Sequence, residues 1–147
     1  MAITKFGKTE IFMLVKLLTF SFLSLNLLAE NIKINEKFLV ALRKTETIGA
    51  PNNGINARGR HGELGPYQIR INYWRDAVSY DKSIGGSFSN CGQKEYSEKV
   101  ITAYLNRYCK KAIIASDYET MARTHNNGPK INKSSVSYWN RFKKFFC

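Results

Sequence analysis

An apolar run near the start of the chain limits how much of it can fold as a domain. Residues 17–29 (LLTFSFLSLNLLA) follow three lysines and end at the small residue Ala29. This order is typical of a secretory signal peptide. The run is shorter than the ~20 residues that cross a bilayer, although an uncleaved membrane anchor remains an alternative. Removal of residues 1–29 would leave residues 30–147, enough for one domain and too few for two.

The predicted mature domain is strongly basic. It carries 20 lysines and arginines against 10 aspartates and glutamates, a net charge near +10. Such a charge attracts nucleic acid, anionic lipid or an acidic bacterial wall, although an ordinary soluble basic surface is the simpler alternative. The basic residues are spread from Lys33 to Lys144 with no run of five, which argues against nucleic acid. We expect an exported monomer, secreted or periplasmic, with no membrane span once the signal is removed.

The three cysteines indicate an oxidising compartment, with one disulfide and one remaining thiol. They are Cys91, Cys109 and Cys147. A helix over residues 95–109 would hold Cys91 and Cys109 apart, so pairing through Cys147 is an equal alternative. The cysteine spacing matches no zinc motif, and we predict neither a metal nor a cofactor.

Apolar residues at helical spacing predict a mostly helical α+β domain of four to six short helices. The Gly- and Asn-rich residues 49–65 predict a loop or a short irregular hairpin. The first helix is predicted to begin after an N-cap at Asn35 and to end at Glu46. Further helices are predicted from about Ile71 to residue 80, over residues 95–109, from a Ser116/Glu119 capping box to about His125, and around Val136, Trp139 and Phe142.

Glu46 is the candidate catalytic carboxylate. It follows Leu42 by four residues and therefore lies on the apolar face of the first predicted helix, just before Gly49 and Pro51. Partial desolvation there would disfavour the charged form, and acid catalysis of glycoside cleavage requires such an environment. A solvated glutamate at a helix end is the ordinary alternative.

Several segments in a fixed order resemble the landmarks of lysozyme-like domains. The resemblance is to small bacterial and phage lysozyme-like domains, to invertebrate-type lysozymes of the destabilase family, and to goose-type lysozymes and soluble lytic transglycosylases. It extends over residues 36–142 and implies a lysozyme-like domain in which a small loop or β region walls a cleft. The segments are Glu46, residues 65–69 (GPYQI), 73–74 (YW), 104–108 (YLNRY), 122–129 (ARTHNNGP) and 138–139 (YW).

The resemblance also implies an activity and a set of site residues. The activity is cleavage of the β-1,4 bond between N-acetylmuramic acid and N-acetylglucosamine in peptidoglycan. Glu46 would be the catalytic acid and base, and Thr47 follows it where relatives usually have Ser. Tyr67 and Gln68 would line the floor of the cleft. His125, Asn126 and Gly128 would form a turn that faces Glu46.

The second carboxylate is where this chain departs from the invertebrate-type pattern. Those enzymes have an Asp shortly before the GPYQI-like segment, whereas residues 57–61 here read ARGRH. Glu63 is the nearest acidic residue and does not align cleanly with the missing Asp. A hydrolase normally uses two carboxylates, whereas a lytic transglycosylase can use one. The sequence therefore slightly favours transglycosylation, with hydrolysis assisted by Glu63 as the alternative.

Two rival functions remain open at this point. One is a catalytically inactive protein of the same fold that binds the cell wall or acts as an inhibitor. The other is a cationic protein that disrupts anionic membranes. Five aromatic residues could stack on sugars, but their helical spacing favours core positions for most of them. The five are Tyr67, Tyr73, Trp74, Tyr138 and Trp139.

Overall fold

The computed structural model describes residues 31–130 and 135–146. Residues Ile32–Cys147 form one compact unit, and the predicted signal peptide at residues 1–29 lies outside the described part of the chain. The described residues contain five α-helices and three short 3₁₀ turns. The helices are α1 (Glu36–Glu46), α2 (Ile71–Tyr80), α3 (Lys94–Ile114), α4 (Tyr118–Asn127) and α5 (Ser135–Phe146), and the 3₁₀ turns are Pro51–Gly54, Lys82–Ile84 and Phe88–Gly92.

The helices pack in the order α2–α3–α4–α5–α1, and α3 is the longest of them. Helix α3 contacts α2 and α4, α4 contacts α5, and α5 closes the arrangement by packing on α1. Phe38 of α1 and Phe142 of α5 are fully buried, with ring centroids 5.2 Å apart. Burial of an aromatic or aliphatic side chain of this size stabilises a fold by about 2 kcal/mol. The α1–α5 contact therefore holds the two ends of the domain together.

The helix predictions are largely confirmed. Asn35 caps α1 by accepting a hydrogen bond from the Lys37 amide at 2.8 Å, and α2 begins at Ile71 as expected. Helix α3 continues beyond the predicted end, through a non-helical Cys109 (φ −141°, ψ 37°) to Ile114. The extension buries Ala112 and Ile113, which gives the chain a reason to remain helical.

The predicted Ser116 capping box is wrong. The side chain of Asp117 caps α4 instead, because its carboxylate accepts from the amide and hydroxyl of Thr120 at 3.0 and 2.6 Å. Ser116 has a positive φ of 54° and belongs to the turn between α3 and α4. A charged carboxylate at a helix N-terminus also interacts favourably with the helix dipole.

The predicted β region is reduced, within the described residues, to two isolated antiparallel bridges. Leu64 pairs with Arg58 on one side and with Ile69 on the other. The chain reverses direction within a few residues at Gly59, Gly62 and Gly65, which leaves no length for a regular ladder. The fold is therefore mostly helical, with an irregular loop where a small sheet was expected.

The predicted disulfide does not form between Cys91 and Cys109, which both carry free, buried thiols. Burial raises the pKa of the Cys91 thiol to about 12 and that of the Cys109 thiol to about 11. Both side chains occupy core positions among apolar neighbours. Cys147 lies outside the described residues.

Candidate functional site

A pocket of about 740 Å³ opens beside the C-terminal end of α1. Three parts of the chain form its wall: the loop before α2, the first half of α2, and the end of α4. We call it the Glu46 pocket. Its lining residues are Glu46, Gly59, Arg60, Glu63, Gln68, Arg70, Asn72, Tyr73, Asp76, Tyr104, His125, Asn126, Asn127 and Gly128.

Glu46 is the last residue of α1, and local hydrogen bonds fix the end of that helix. The hydroxyl of the buried Thr45 donates to the Ala41 carbonyl at 2.8 Å. The amide and hydroxyl of Thr47 both donate to the Arg43 carbonyl, at 3.0 and 2.8 Å. The helix thus stops at a defined point, and the Glu46 side chain is only 15% exposed.

Two side chains contact one oxygen of the Glu46 carboxylate. The Tyr138 hydroxyl donates to Oε1 at 2.6 Å, and His125 Nε2 lies 3.5 Å from the same atom. Among the described residues, the contacts that Glu46 makes through its carboxylate all go to Oε1. The second oxygen, Oε2, is therefore the one left to meet a ligand.

The two tyrosines around this carboxylate keep their protons. Burial, reinforced by the negative charge of Glu46 and the hydrogen bond to it, holds the pKa of Tyr138 well above its ordinary value. Burial, together with neighbouring tyrosine, thiol and carboxylate groups, does the same to the pKa of Tyr73. Both hydroxyl groups therefore act as hydrogen-bond donors across the usual pH range.

The hydroxyl group of Tyr73 orients the imidazole of His125. The Tyr73 hydroxyl lies 3.1 Å from His125 Nδ1 in a buried contact. When the imidazole is neutral and Nδ1 accepts this proton, the ring hydrogen must sit on Nε2, which faces Glu46. Tyr73 also stacks on Tyr104, with ring centroids 3.5 Å apart, so its position is fixed by packing.

The turn after α4 carries Asn126, Asn127 and Gly128 to the edge of the pocket. Gly128 has a φ of 79°, and its amide donates to the Thr124 carbonyl at 2.8 Å to close the helix. A glycine adopts this conformation without strain. The turn places main-chain and side-chain amide groups on the wall of the pocket that Glu46 also lines.

The loop before α2 forms the other wall, and its shape depends on close backbone contacts. A Cβ at Gly65 would overlap the carbonyl oxygen of Cys91, so the loop lies directly against the Phe88–Gly92 turn. Gln68 has a φ of 47°, and its Nε2 donates to the Gly65 carbonyl at 2.8 Å. The amide side chain of Gln68 is thereby fixed at the pocket.

Glu63 also brings a carboxylate to the pocket, as does Asp76. Glu63 Oε1 accepts a hydrogen bond from Arg70 Nε at 2.9 Å and lies 2.9 Å from Nη2 of the same guanidinium, and its Oε2 accepts from the His61 amide at 2.9 Å. Burial alone would raise the pKa of Glu63, but the backbone amides and the Arg70 guanidinium outweigh it and hold the pKa below its ordinary value. Glu63 is therefore ionised near neutral pH.

Six of the seven residues selected from the sequence line the pocket: Glu46, Glu63, Gln68, His125, Asn126 and Gly128. Tyr67 does not. Its side chain is fully buried, and its hydroxyl donates to Glu98 at 2.6 Å. The prediction that Tyr67 lines the floor of the cleft is therefore wrong, because its side chain has no accessible surface. Tyr67 instead fixes the loop against α3.

Several residues in or beside the pocket were not selected as site residues from the sequence. Tyr73, which lines the pocket, and Tyr138, which contacts Glu46 from the core, were interpreted as core residues; they are buried, but their hydroxyl groups reach His125 and Glu46. The YW pairs at residues 73–74 and 138–139 and the YLNRY segment that begins at Tyr104 were the patterns that could have pointed to these tyrosines. Arg60, Asn72 and Asp76 belong to no pattern that would have identified them.

Residues 31–130 and 135–146 contain neither a candidate metal centre nor a candidate membrane span. No group of three or more His, Cys, Asp or Glu side chains could hold a metal ion there. Within the same residues, no helix is both long and apolar enough to cross a bilayer.

Comparison with known proteins identifies relatives over most of the chain. A family model described as Destabilase matches residues 44–145. A lysozyme of Ostrea edulis is 29% identical over 117 residues, covering 78% of this chain and 82% of the relative. A lysozyme of Meretrix lusoria is 31% identical over 114 residues, covering 76% and 89%. The crystal structure of Tapes japonica lysozyme superposes with a TM-score of 0.61 at 26% identity, covering 76% of this chain and 90% of that one.

Proposed function

Because the chain belongs to the Destabilase family, we propose that it is a lysozyme-type glycosidase that cleaves the β-1,4 bond between N-acetylmuramic acid and N-acetylglucosamine in peptidoglycan. The observation that carries the proposal is the Glu46 carboxylate, which faces a 740 Å³ pocket and is held through Oε1 by Tyr138. The relatives named lysozymes support the same reaction.

Glu46 is the proposed general acid. Tyr138 donates to Oε1, so the proton that Glu46 transfers to the glycosidic oxygen is carried on Oε2. A carboxyl group positioned as a general acid raises the rate of bond cleavage by about 10²–10⁴-fold. Gln68, Asn126 and Gly128 are the proposed contacts for the bound glycan, because they line the pocket on either side of Glu46.

Glu63 is the proposed second carboxylate, which favours hydrolysis over transglycosylation. It lines the same pocket, and its lowered pKa keeps it ionised opposite the acid. An ionised carboxylate stabilises positive charge on the sugar ring or activates water. Hydrolysis leaves reducing muramyl ends, whereas transglycosylation leaves anhydro-muramyl ends, so the chemistry of the new ends distinguishes the two mechanisms.

We further propose that the domain acts outside the cytoplasm as a monomer. The signal-peptide pattern of residues 1–29 supports export, and the basic charge of the domain supports association with an acidic wall. Peptidoglycan is the proposed substrate and partner.

Clearing of purified cell wall tests the proposal. The Glu46→Gln variant keeps the size of the side chain and removes the acid, so we expect a rate at least about 10²-fold lower. Glu36→Gln, at the exposed start of the same helix, is the matched control and should clear wall at the wild-type rate. Equal clearing by the Glu46→Gln variant and wild type would remove Glu46 from its role.

A further inference from the structure

The loop before α2 contributes two arginines to the wall of the Glu46 pocket. Arg60 and Arg70 line the pocket there, together with Glu63. Asp76 of α2 also lines the pocket, and Arg107 lies 4.0 Å from its carboxylate. The part of the wall formed by the loop therefore carries one more positive charge than negative charge.

The two arginines of the pocket differ in what they contact. Arg70 forms an ion pair with Glu63, in which Nε donates a hydrogen bond of 2.9 Å to Oε1 and Nη2 lies 2.9 Å from the same oxygen. Arg60 is exposed, and within the described part of the chain no carboxylate forms an ion pair with it. Its backbone is held in a tight turn, since the Gly59 amide donates to the Glu63 carbonyl at 2.9 Å and the Gly62 amide to the Gly59 carbonyl at 3.3 Å. The guanidinium of Arg60 is thus available to a ligand.

The proposed substrate carries carboxylates next to every scissile bond. Each such bond joins a muramyl sugar, whose 3-O-lactyl group ends either in its own carboxylate or in a peptide stem with free carboxylates. Chitin-like chains of N-acetylglucosamine have no equivalent group. A guanidinium matches a carboxylate through two parallel N–H···O bonds.

We propose that Arg60 binds a carboxylate of the muramyl 3-O-substituent and gives the enzyme a preference for acidic glycan strands. This inference rests on the proposed function, because it assumes that peptidoglycan occupies the pocket. Arg60 is a specificity residue in this account and takes no part in bond cleavage. Because the contact is exposed to solvent, its effect on kcat/KM is about fivefold and is expressed mainly in KM.

Three soluble glycan strands of equal length test the proposal. The first carries peptide stems with free carboxylates, the second carries the same stems with their carboxylates converted to amides, and the third has been stripped by an amidase to expose the lactyl carboxylate. The measured quantity is the ratio of kcat/KM between strands for each enzyme. A ratio within one enzyme is insensitive to how much of that variant is folded.

We expect wild type to prefer acidic over amidated stems by about fivefold, and Arg60→Gln to bring this ratio close to one. Arg58→Gln is the matched control, since Arg58 is exposed in the same loop and does not line the pocket; it should keep the preference. The stripped strand shows how far this binding extends. In strands with stems the lactyl group is an amide, so a lost preference there assigns the stem carboxylate; if cleavage of the stripped strand also weakens in Arg60→Gln, Arg60 binds the lactyl carboxylate as well.

Two results would overturn the inference while leaving the proposed function intact. In the first, wild type cleaves acidic and amidated strands equally well. In the second, Arg58→Gln loses the preference as fully as Arg60→Gln, which would mean that the overall positive field attracts acidic strands. Failure of wild type to cleave any of the three strands would instead reject the proposed function.

Discussion

Tyr138 links the last helix to the proposed acid. Its ring is buried in the core, yet its hydroxyl lies 2.6 Å from Glu46 Oε1, 92 positions away in sequence. A single atom thus determines which carboxylate oxygen faces the pocket. The contact depends on α5 packing against α1, so a change in that packing would also move the catalytic group.

Replacement of Tyr138 by Phe should lower kcat by about tenfold and leave KM nearly unchanged. The ring still fills the core, but the hydrogen bond that orients the Glu46 carboxyl, which contributes about 0.5–1.5 kcal/mol, is lost. The measurement is steady-state cleavage of soluble peptidoglycan strands. Tyr118→Phe serves as the control, since that hydroxyl lies away from the Glu46 pocket. An unchanged kcat for Tyr138→Phe would contradict the positioning role.

Glu63 should make stability depend on pH in the acidic range. Because its pKa in the fold is lowered from 4.5, it stabilises the fold fully above that value and loses this contribution as pH falls through the lower, folded-state pKa. In urea unfolding, the free energy of unfolding of wild type should therefore decline below about pH 4.5. The decline should be smaller in Glu63→Gln. A parallel decline in both proteins would show that Glu63 contributes nothing to it.

At the scale of elements, the helices could be predicted and the site loop could not. Apolar residues recur at helical spacing in α1, α2 and α3. The positions of these three helices can therefore be predicted from the local sequence. The end of α3 was misjudged, because buried residues continue past the kink at Cys109. The cap of α4 was misassigned because Ser116 and Asp117 both supply a suitable oxygen.

The loop before α2 owes its form to contacts distant in sequence, which a local pattern does not encode. Gly65 lies against Cys91, and Tyr67 turns inward to Glu98. Gln68, which the resemblance predicts at the floor of a cleft, lines the Glu46 pocket, whereas Tyr67, for which it makes the same prediction, is buried. Glu63 was considered only as the nearest acidic residue, and its hydrogen bonds with Arg70 and the His61 amide are visible only in the folded chain.

Two glycines of this loop provide a paired test of how the wall is built. Gly62 and Gly65 have similar φ values, 82° and 78°, so alanine strains both backbones by about 1 kcal/mol. A Cβ at Gly62 meets open space, whereas one at Gly65 collides with the Cys91 carbonyl. We expect Gly65→Ala to lower the free energy of unfolding by about 3 kcal/mol or more and Gly62→Ala by about 1 kcal/mol. Equal losses in denaturant titrations would argue against the close contact.

At the scale of the whole molecule, the comparisons confirm the family inferred from ordered landmarks. The part of the chain that matches the family, residues 44–145, has no aspartate in residues 57–61, where the resemblance leads us to expect one. The fold brings Glu63 to the pocket. The order of segments was therefore sufficient to identify the lysozyme-like superfamily, and the Destabilase family is one of the relatives that it indicated. The placement of Glu63 in the pocket depended on the folded loop.

The buried thiols test whether the core closes as described. Because burial raises the pKa of Cys91 and Cys109 to about 12 and about 11, neither should react with an alkylating reagent at pH 8 in the folded protein. In a Cys147→Ser background, mass spectrometry should show no modification in buffer and two modified thiols in denaturant. Rapid labelling of the folded protein, or a mass that indicates a Cys91–Cys109 disulfide, would contradict the structure.

The central claim is that Glu46 breaks glycosidic bonds, and the most direct test is mass spectrometry of the chain ends released from purified peptidoglycan. We expect new reducing muramyl ends in digests by wild type and Glu36→Gln, and almost none in digests by Glu46→Gln. New ends in equal amounts from the Glu46→Gln digest, or none from wild type, would contradict it.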